Sequence, residues 1–241
     1  MTNTPLSILP ISEVKARVTV HDWPFMSARK DEIAAHWAGL KAEKPAMFNG
    51  QVLLQCRGEV SGTAFHADYF QLDYASFIAW HRWGYPQDAH EQIRNGFAMG
   101  ALRSRDGAYL MGVMGQHTAN AGRVYFAAGT PDPGDVRENG EVDLSGSVMR
   151  ELEEETGLKA SEVSVGDGWR IMLGRERVVF MRDVSIDLDA DEAQRLIRDR
   201  LSRQAEPELC DVAIARSVAD IDEARMPIFM QAFLRDVFSK T

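Results

Sequence analysis

Arg150-Glu151-Leu152-Glu153-Glu154-Glu155-Thr156-Gly157-Leu158 is the stretch on which the reading of this chain turns. Read as the end of a helix from about Leu144 to Thr156, it puts Glu151, Glu154 and Glu155 at i, i+3 and i+4, on one face. Val148 and Leu152 lie beside that face and can anchor it to a core, Glu153 points away, and Gly157 is placed to end the helix. A solvated acidic helix usually intersperses Lys or Arg at i+4, yet here Glu151 is followed at i+4 by Glu155. The acids also crowd the last two turns, where the helix dipole is negative and each is disfavoured by about 0.3–1 kcal/mol. Two readings stand: a solvated acidic surface, or carboxylates that share a divalent cation. Hard oxygen donors with no Cys or His partner suit Mg2+ or Mn2+.

Around this helix the sequence reads as a mixture of strands and helices. Phe97 to Arg103, Ala108 to Gly115 and Val124 to Ala127 are strand-like. A Gly/Pro/Asp-rich loop, Gly129 to Gly140, leads into the acidic helix. Strands at 163–173 and 176–184, a helix at 190–203, a strand at 209–216 and a helix at 227–238 follow. Upstream, Val14 to Val20 reads as a strand, and Ser27 as the cap of a helix through Lys41 with Ile33, Ala34, Trp37 and Leu40 on its apolar face. Asn49-Gly50 reads as a hairpin turn before the strand Gln51 to Arg57, and Ser61 to Leu72 as another strand. Tyr74 to Trp83 reads as a packed aromatic helix. Phe70, Tyr74, Trp80 and Trp83 read first as core, with a base-stacking platform as the alternative. The expected fold class is α/β (α+β), with an N-terminal α/β extension over 1–85 and a second unit over 86–241.

Composition sets the outer bounds. The chain has 241 residues, 45% of them hydrophobic and 26% charged, ordinary for a globular protein. Its 27 Lys+Arg against 36 Asp+Glu give a net charge of −9, which argues against nucleic acid and anionic membrane surfaces as partners. Cys56 and Cys210 are too few for a disulfide scaffold or a thiolate zinc site. No apolar run approaches the ~20 residues of a membrane span, and no signal peptide is visible, so the expected location is cytoplasmic. There is no P-loop, HExxH or dinucleotide-binding fingerprint.

The segment Arg150 to Leu158 resembles the core of the Nudix box, R-E-U-x-E-E-x-G-U with U a bulky aliphatic, at every specified position. The upstream half departs from that pattern: the positions of the box glutamate and glycine hold Val142 and Val136. Gly129 stands in best for the glycine, and Glu141, or else Asp143, for the glutamate, with the loop between enlarged. The resemblance covers about Pro86 to Thr241. It implies an α/β/α sandwich with a mixed sheet, and hydrolysis of the P–O–P bond of a nucleoside diphosphate linked to another group X, such as a nucleotide sugar, ADP-ribose or a dinucleotide coenzyme. It implies Mg2+ or Mn2+ held by Glu151, Glu154 and Glu155, with Arg150 orienting those acids through charge-assisted hydrogen bonds. In some members of that family one of the three also activates water, which a bound cation makes easier to deprotonate.

Outside the box, Glu208 is the candidate further acid, with Glu176 behind it. His117, Asn120 and Arg123 are candidate substrate contacts, and the carbonyl of Ala128 or Gly129 a candidate metal ligand. The substrate-side extension, the enlarged loop and Pro207-Glu208-Leu209 are similar to a branch acting on nucleotide sugars such as UDP-glucose. Residues 1–85 are expected to cover the site, to form a homodimer, or both. The competing readings are a Nudix-like nucleotide-binding or regulatory module without turnover, and an interaction domain whose acidic helix is only surface.

Overall fold

The computed structural model describes residues 7–87 and 92–240. In chain order the elements are β1 (Ser7–Ile11), β2 (Glu13–Val18), α1 (Pro24–Ala28), α2 (Lys30–Glu43), β3 (Gln51–Ser61), β4 (Ala64–Asp73) and α3 (Tyr74–Arg82). Then come β5 (Asn95–Arg103), β6 (Tyr109–Met114), β7 (Val124–Tyr125), β8 (Ala128–Gly129) and α4 (Leu144–Thr156). The chain continues with β9 (Val163–Val165), β10 (Trp169–Leu173), β11 (Arg177–Ile186), α5 (Ala190–Leu201), β12 (Leu209–Ala215) and α6 (Ile228–Ser239).

Nine strands form one mixed sheet in the order β1-β10-β11-β5-β6-β12, with β7 on β6, β8 on β5 and β9 on β11. β5 and β11 run parallel and the other pairings are antiparallel. Side chains alternate along β5, so its two faces meet different helices. A Cβ at Gly100 would sit 3.2 Å from Val148 of α4, whereas Phe97, on the other face, meets Phe229 of α6 at 5.9 Å between ring centroids. Helices therefore cover both faces, the mixed α/β layering expected from the sequence. Among the described residues no helix is long and apolar enough to cross a membrane.

Residues before Pro86 pack against this sheet, and one of their strands joins it. β1 extends the sheet by pairing with β10. β2, β4 and β3 make a second, three-stranded sheet. Along β3 the alternation splits two cores: Leu53 joins Phe65, Tyr69 and Phe180 in the main one, while Leu54 joins Trp23, Phe70 and Trp80 under α1 and α3. Phe65 meets Phe180 edge to face at 5.4 Å, and the Tyr69 hydroxyl donates to the carbonyl of Gly96 at 3.0 Å. β2 also holds the loop before α4. The Val18 amide donates to Gly140, and the Val142 amide to Ala16. Phe180 is fully buried. Its replacement by Ala is expected to lower stability by about 3–5 kcal/mol in one cooperative transition; two separate melting steps in calorimetry would contradict a shared core.

Several local expectations are corrected. Ser27 does not cap the first helix: its hydroxyl donates to Pro24, Pro24 itself opens α1, and α2 starts after Arg29. Of the expected apolar face, Ile33 is buried but Ala34 is exposed. Asn49-Gly50 is no hairpin turn, because a helix precedes it; Asn49 Oδ1 accepts the Ala75 amide at 2.7 Å and helps start α3. The hairpin turns instead at Gly62 (φ 60°). The strand expected over 163–173 divides into β9 and β10 at Gly168 (φ 74°), and the one at 124–127 divides where the chain crosses from β6 to β5. Phe70 and Trp80 are buried core and present no face for stacking.

Candidate active site

α4 begins where Asp143 accepts the Gly146 amide at 2.8 Å and ends at Gly157 in the left-handed region (φ 72°). Leu144, Val148 and Leu152 are buried in the core, which fixes the rotation of the helix. That rotation turns Glu151 and Glu155, one turn apart, onto β8. The Ala128 amide donates to Glu155 Oε1 at 3.2 Å. Glu155 is 4% exposed, and its Oε2 is buried with no hydrogen-bond partner. Glu151 lies against Gly129 so closely that a Cβ there would stand 2.0 Å from Glu151 Oε1. Only glycine leaves that carboxylate its place.

Glu154 points outward, its side chain 58% exposed. Arg150 Nη1 meets Glu151 at 3.0 Å and Glu154 at 3.1 Å. The other edge of the Arg150 guanidinium donates to Asp135, from Nη2 to Oδ1 and Oδ2 at 3.1 Å each. Asp135 is 6% exposed and closes a 3-10 turn, Pro133–Asp135, in which its carboxylate also accepts the Asp132 amide. Asp135 was not singled out from the sequence. Its only visible signal is the turn-forming Asp132-Pro133 spacing, fifteen residues from its partner.

Burial pushes the Glu155 carboxyl up to about 8; the Ala128 amide opposes this, and the charges of Glu151, Glu208 and Glu154 add to it. Burial likewise raises Glu151 to about 7, against the pull of Arg150 and with Glu154 and Glu208 adding. Both acids are thus costly to ionise where they stand.

The other sequence candidates separate. Glu208 is exposed, bears electrostatically on Glu151, Glu155 and Tyr125, and accepts the Gly115 amide at its backbone carbonyl. His117 is exposed, its ring beside Gly115. Asn120 Nδ2 donates to the Tyr125 hydroxyl at 3.1 Å. Arg123 is taken up by the carbonyl of Ala224 at 3.1 Å. Glu141 and Asp143 both pair with Arg137, so neither is the loop acid that meets Arg150. Glu176 pairs with Arg177.

Among the described residues no three His, Cys, Asp or Glu side chains converge as a ready metal cage. Glu151 and Glu155 nevertheless suit a hard divalent cation. They are oxygen donors one turn apart, one has an unpartnered buried oxygen, and the backbone beside the other is bare of a Cβ. Asp135→Asn, which loosens Arg150, is expected to weaken Mn2+ binding by roughly 10–100-fold, as loss of an outer-shell partner does. Titration calorimetry checks this, and unchanged affinity would remove Asp135 from the site.

No protein-family model matches the chain, and no curated protein does. Solved structures do. A Nudix hydrolase from M. smegmatis, RenU, is 15% identical, with 64% of this chain and 93% of that one covered and a TM-score of 0.42. A pyrophosphohydrolase from Bacillus subtilis is 14% identical, covering 64% and 84%, with a TM-score of 0.35. A MutT protein from Methanosarcina mazei is 15% identical, covering 61% and 94%, with a TM-score of 0.35. At these values the likenesses carry nothing about activity, which has to be read from the site.

Proposed function

We propose that this chain is a divalent-metal-dependent hydrolase of the P–O–P bond in a nucleoside diphosphate linked to another group, releasing a nucleoside monophosphate and X-phosphate. One observation carries the reading. Two carboxylates one turn apart stand toward the negative end of a helix, Glu155 buried with a free oxygen and Glu151 half-buried against a glycine. Such a pair is destabilising unless a cation shares it.

Glu151 and Glu155 would hold Mg2+ or Mn2+, with Glu154, exposed and paired with Arg150, beside them at the rim. The bound cation would neutralise diphosphate charge and acidify water. The chain supplies the positioning. Asp135 fixes Arg150, which holds Glu154 by a charge-assisted hydrogen bond and Glu151 by an ion pair. The Ala128 amide fixes Glu155 through Oε1, which leaves Oε2 as the atom placed to accept a proton from water. β2, pairing with the loop at 140–142, holds the N-terminal sheet beside the entrance to α4. That placement supports a substrate-side role for the sheet and a substrate with a bulky X, such as a nucleotide sugar.

Product release is the test, with Mg2+ or Mn2+ across UDP-sugars, ADP-ribose, NADH, coenzyme A, diadenosine polyphosphates and nucleoside triphosphates. The proposal expects a metal-dependent monophosphate from at least one diphosphate conjugate. Release that persists in Glu155→Gln, or none across the panel, would overturn it.

A further inference from the structure

On the face of the main sheet away from α4, an open cleft of about 550 Å³ lies between the end of α6 and the β5–β6 hairpin. That volume is within the roughly 300–1,000 Å³ of small-molecule sites. Arg103 fixes the face: it stands six residues from Phe97 on β5, so both are on the side that meets α6. Across the hairpin Arg103 pairs with Tyr109. Its guanidinium carbon is 5.9 Å from the Tyr109 ring centroid, and its Nε donates to the carbonyl of Gly107 at 3.3 Å. Among the described residues it has no carboxylate partner. Tyr109 is 5% exposed, its ring packed on Phe233 at 5.5 Å and on Phe238 at 5.8 Å. Its hydroxyl makes no hydrogen bond among the described residues. Arg170 of β10 lies over Phe233 at 5.6 Å, so two guanidiniums flank the tyrosine.

The charges of this cleft do not cancel. Among the described residues that line it, Arg103, Arg170, Arg216 and Lys240 stand against Asp106 and Asp236. Both carboxylates are taken, Asp106 by Arg216 at 3.0 Å and by the Ser104 hydroxyl, and Asp236 by Lys240 at 2.7 Å. Arg170 pairs with Asp183, which lies outside the lining. In a chain of net charge −9, a concave site with an excess of cations favours an anion. We propose that this cleft binds a small organic oxyanion, a phosphate ester or a carboxylate, with Arg103 and the Tyr109 hydroxyl as its donors and Phe238 and Val218 as its apolar wall. An ionised acceptor gives both donors charge-assisted hydrogen bonds. The site lies across the sheet from α4 and its acids, so it needs no metal and does not rest on the hydrolase reading.

The test is calorimetric titration of phenyl phosphate and of benzoate, which share a ring and differ in the oxyanion, into the full chain in EDTA at constant ionic strength. At least one is expected to bind wild type with a Kd below about 1 mM. The tighter of the two names the oxyanion. Arg103→Met and Tyr109→Phe are each expected to weaken it roughly tenfold, the size of a hydrogen bond to a charged group. Arg103 is exposed and phenylalanine keeps the packed ring, so both variants should melt as wild type does. Glu155→Gln should bind the probe as wild type does. No binding of either probe, or equal affinity in wild type and either cleft variant, would overturn the inference while leaving the hydrolase reading standing. Loss of binding in Glu155→Gln would move the anion to the acid pair and overturn it as well.

Discussion

Replacing Glu155 by Gln is expected to lower turnover by roughly 10²–10⁴-fold, the range for loss of a positioned proton acceptor, and at the same time to stabilise the metal-free protein at pH 8. The two effects have one cause. Glu155 is 4% exposed, with one oxygen on the Ala128 amide and the other unpartnered. Burial holds its carboxyl near 8, well above the value in an unfolded chain. Each unit of such a shift is worth about 1.4 kcal/mol. Glutamine has the same shape and can still accept the Ala128 amide, but it never ionises. A gain of about 2 kcal/mol at pH 8 remains after the cost of an amide with an unpaired donor. A merely structural glutamate predicts the reverse: a lower melting temperature and unchanged turnover. Thermal melts in EDTA, run beside the activity assay, separate the two.

The second large effect is the pH dependence of the metal-free protein. Glu151 and Glu155 have folded-state values of about 7 and about 8, both raised by burial. Between the unfolded and folded values the folded state binds more protons than the unfolded one. The stability these groups contribute is therefore complete below about pH 4.3, the unperturbed value, and is lost as the pH rises through 7 and 8. His81 acts in the opposite direction below its ordinary value, because burial, then Arg177 and Arg82, lower it. The carboxylates lowered by ion pairs, such as Glu162 beside Arg200, act only in more acidic solution. The decline is thus clearest from pH 6.5 to 8, where it should amount to a few kcal/mol. Saturating Mn2+ or Mg2+ should cancel it, adding about 2.7 kcal/mol at a hundredfold excess over Kd. A flat stability profile in EDTA over this range would contradict the buried pair.

How much of this was legible beforehand follows from how local each signal is. The limits of α4 could be read because its signals lie within it: an apolar stripe at helical spacing and a terminating Gly157. The face shared by Glu151 and Glu155 follows from the same periodicity. What they face does not, since β8 is two residues long and reaches β5 across thirty residues of chain. Asp135 was hidden for a similar reason. Nothing near it in sequence marks it as the partner of Arg150, while Glu141 and Asp143, nearer the expected spacing, are drawn off by Arg137. Asn49-Gly50 misled because the same side-chain oxygen that favours a tight turn here caps a helix on a later element. The seating of β1 and of the three-stranded sheet was equally out of reach. Strand pairing such as Ile11 with Trp169 leaves no trace in either segment alone.

The most direct test of the central claim is calorimetric titration of Mn2+ into the metal-free protein at pH 7, repeated in two buffers of different ionisation enthalpy. Cation binding between Glu151 and Glu155 predicts a released proton, on the order of one per site, because both carboxyls are substantially protonated there. It also predicts that Glu155→Gln binds far more weakly. Binding without proton release, or equal binding in the variant, would place the metal elsewhere and contradict the account.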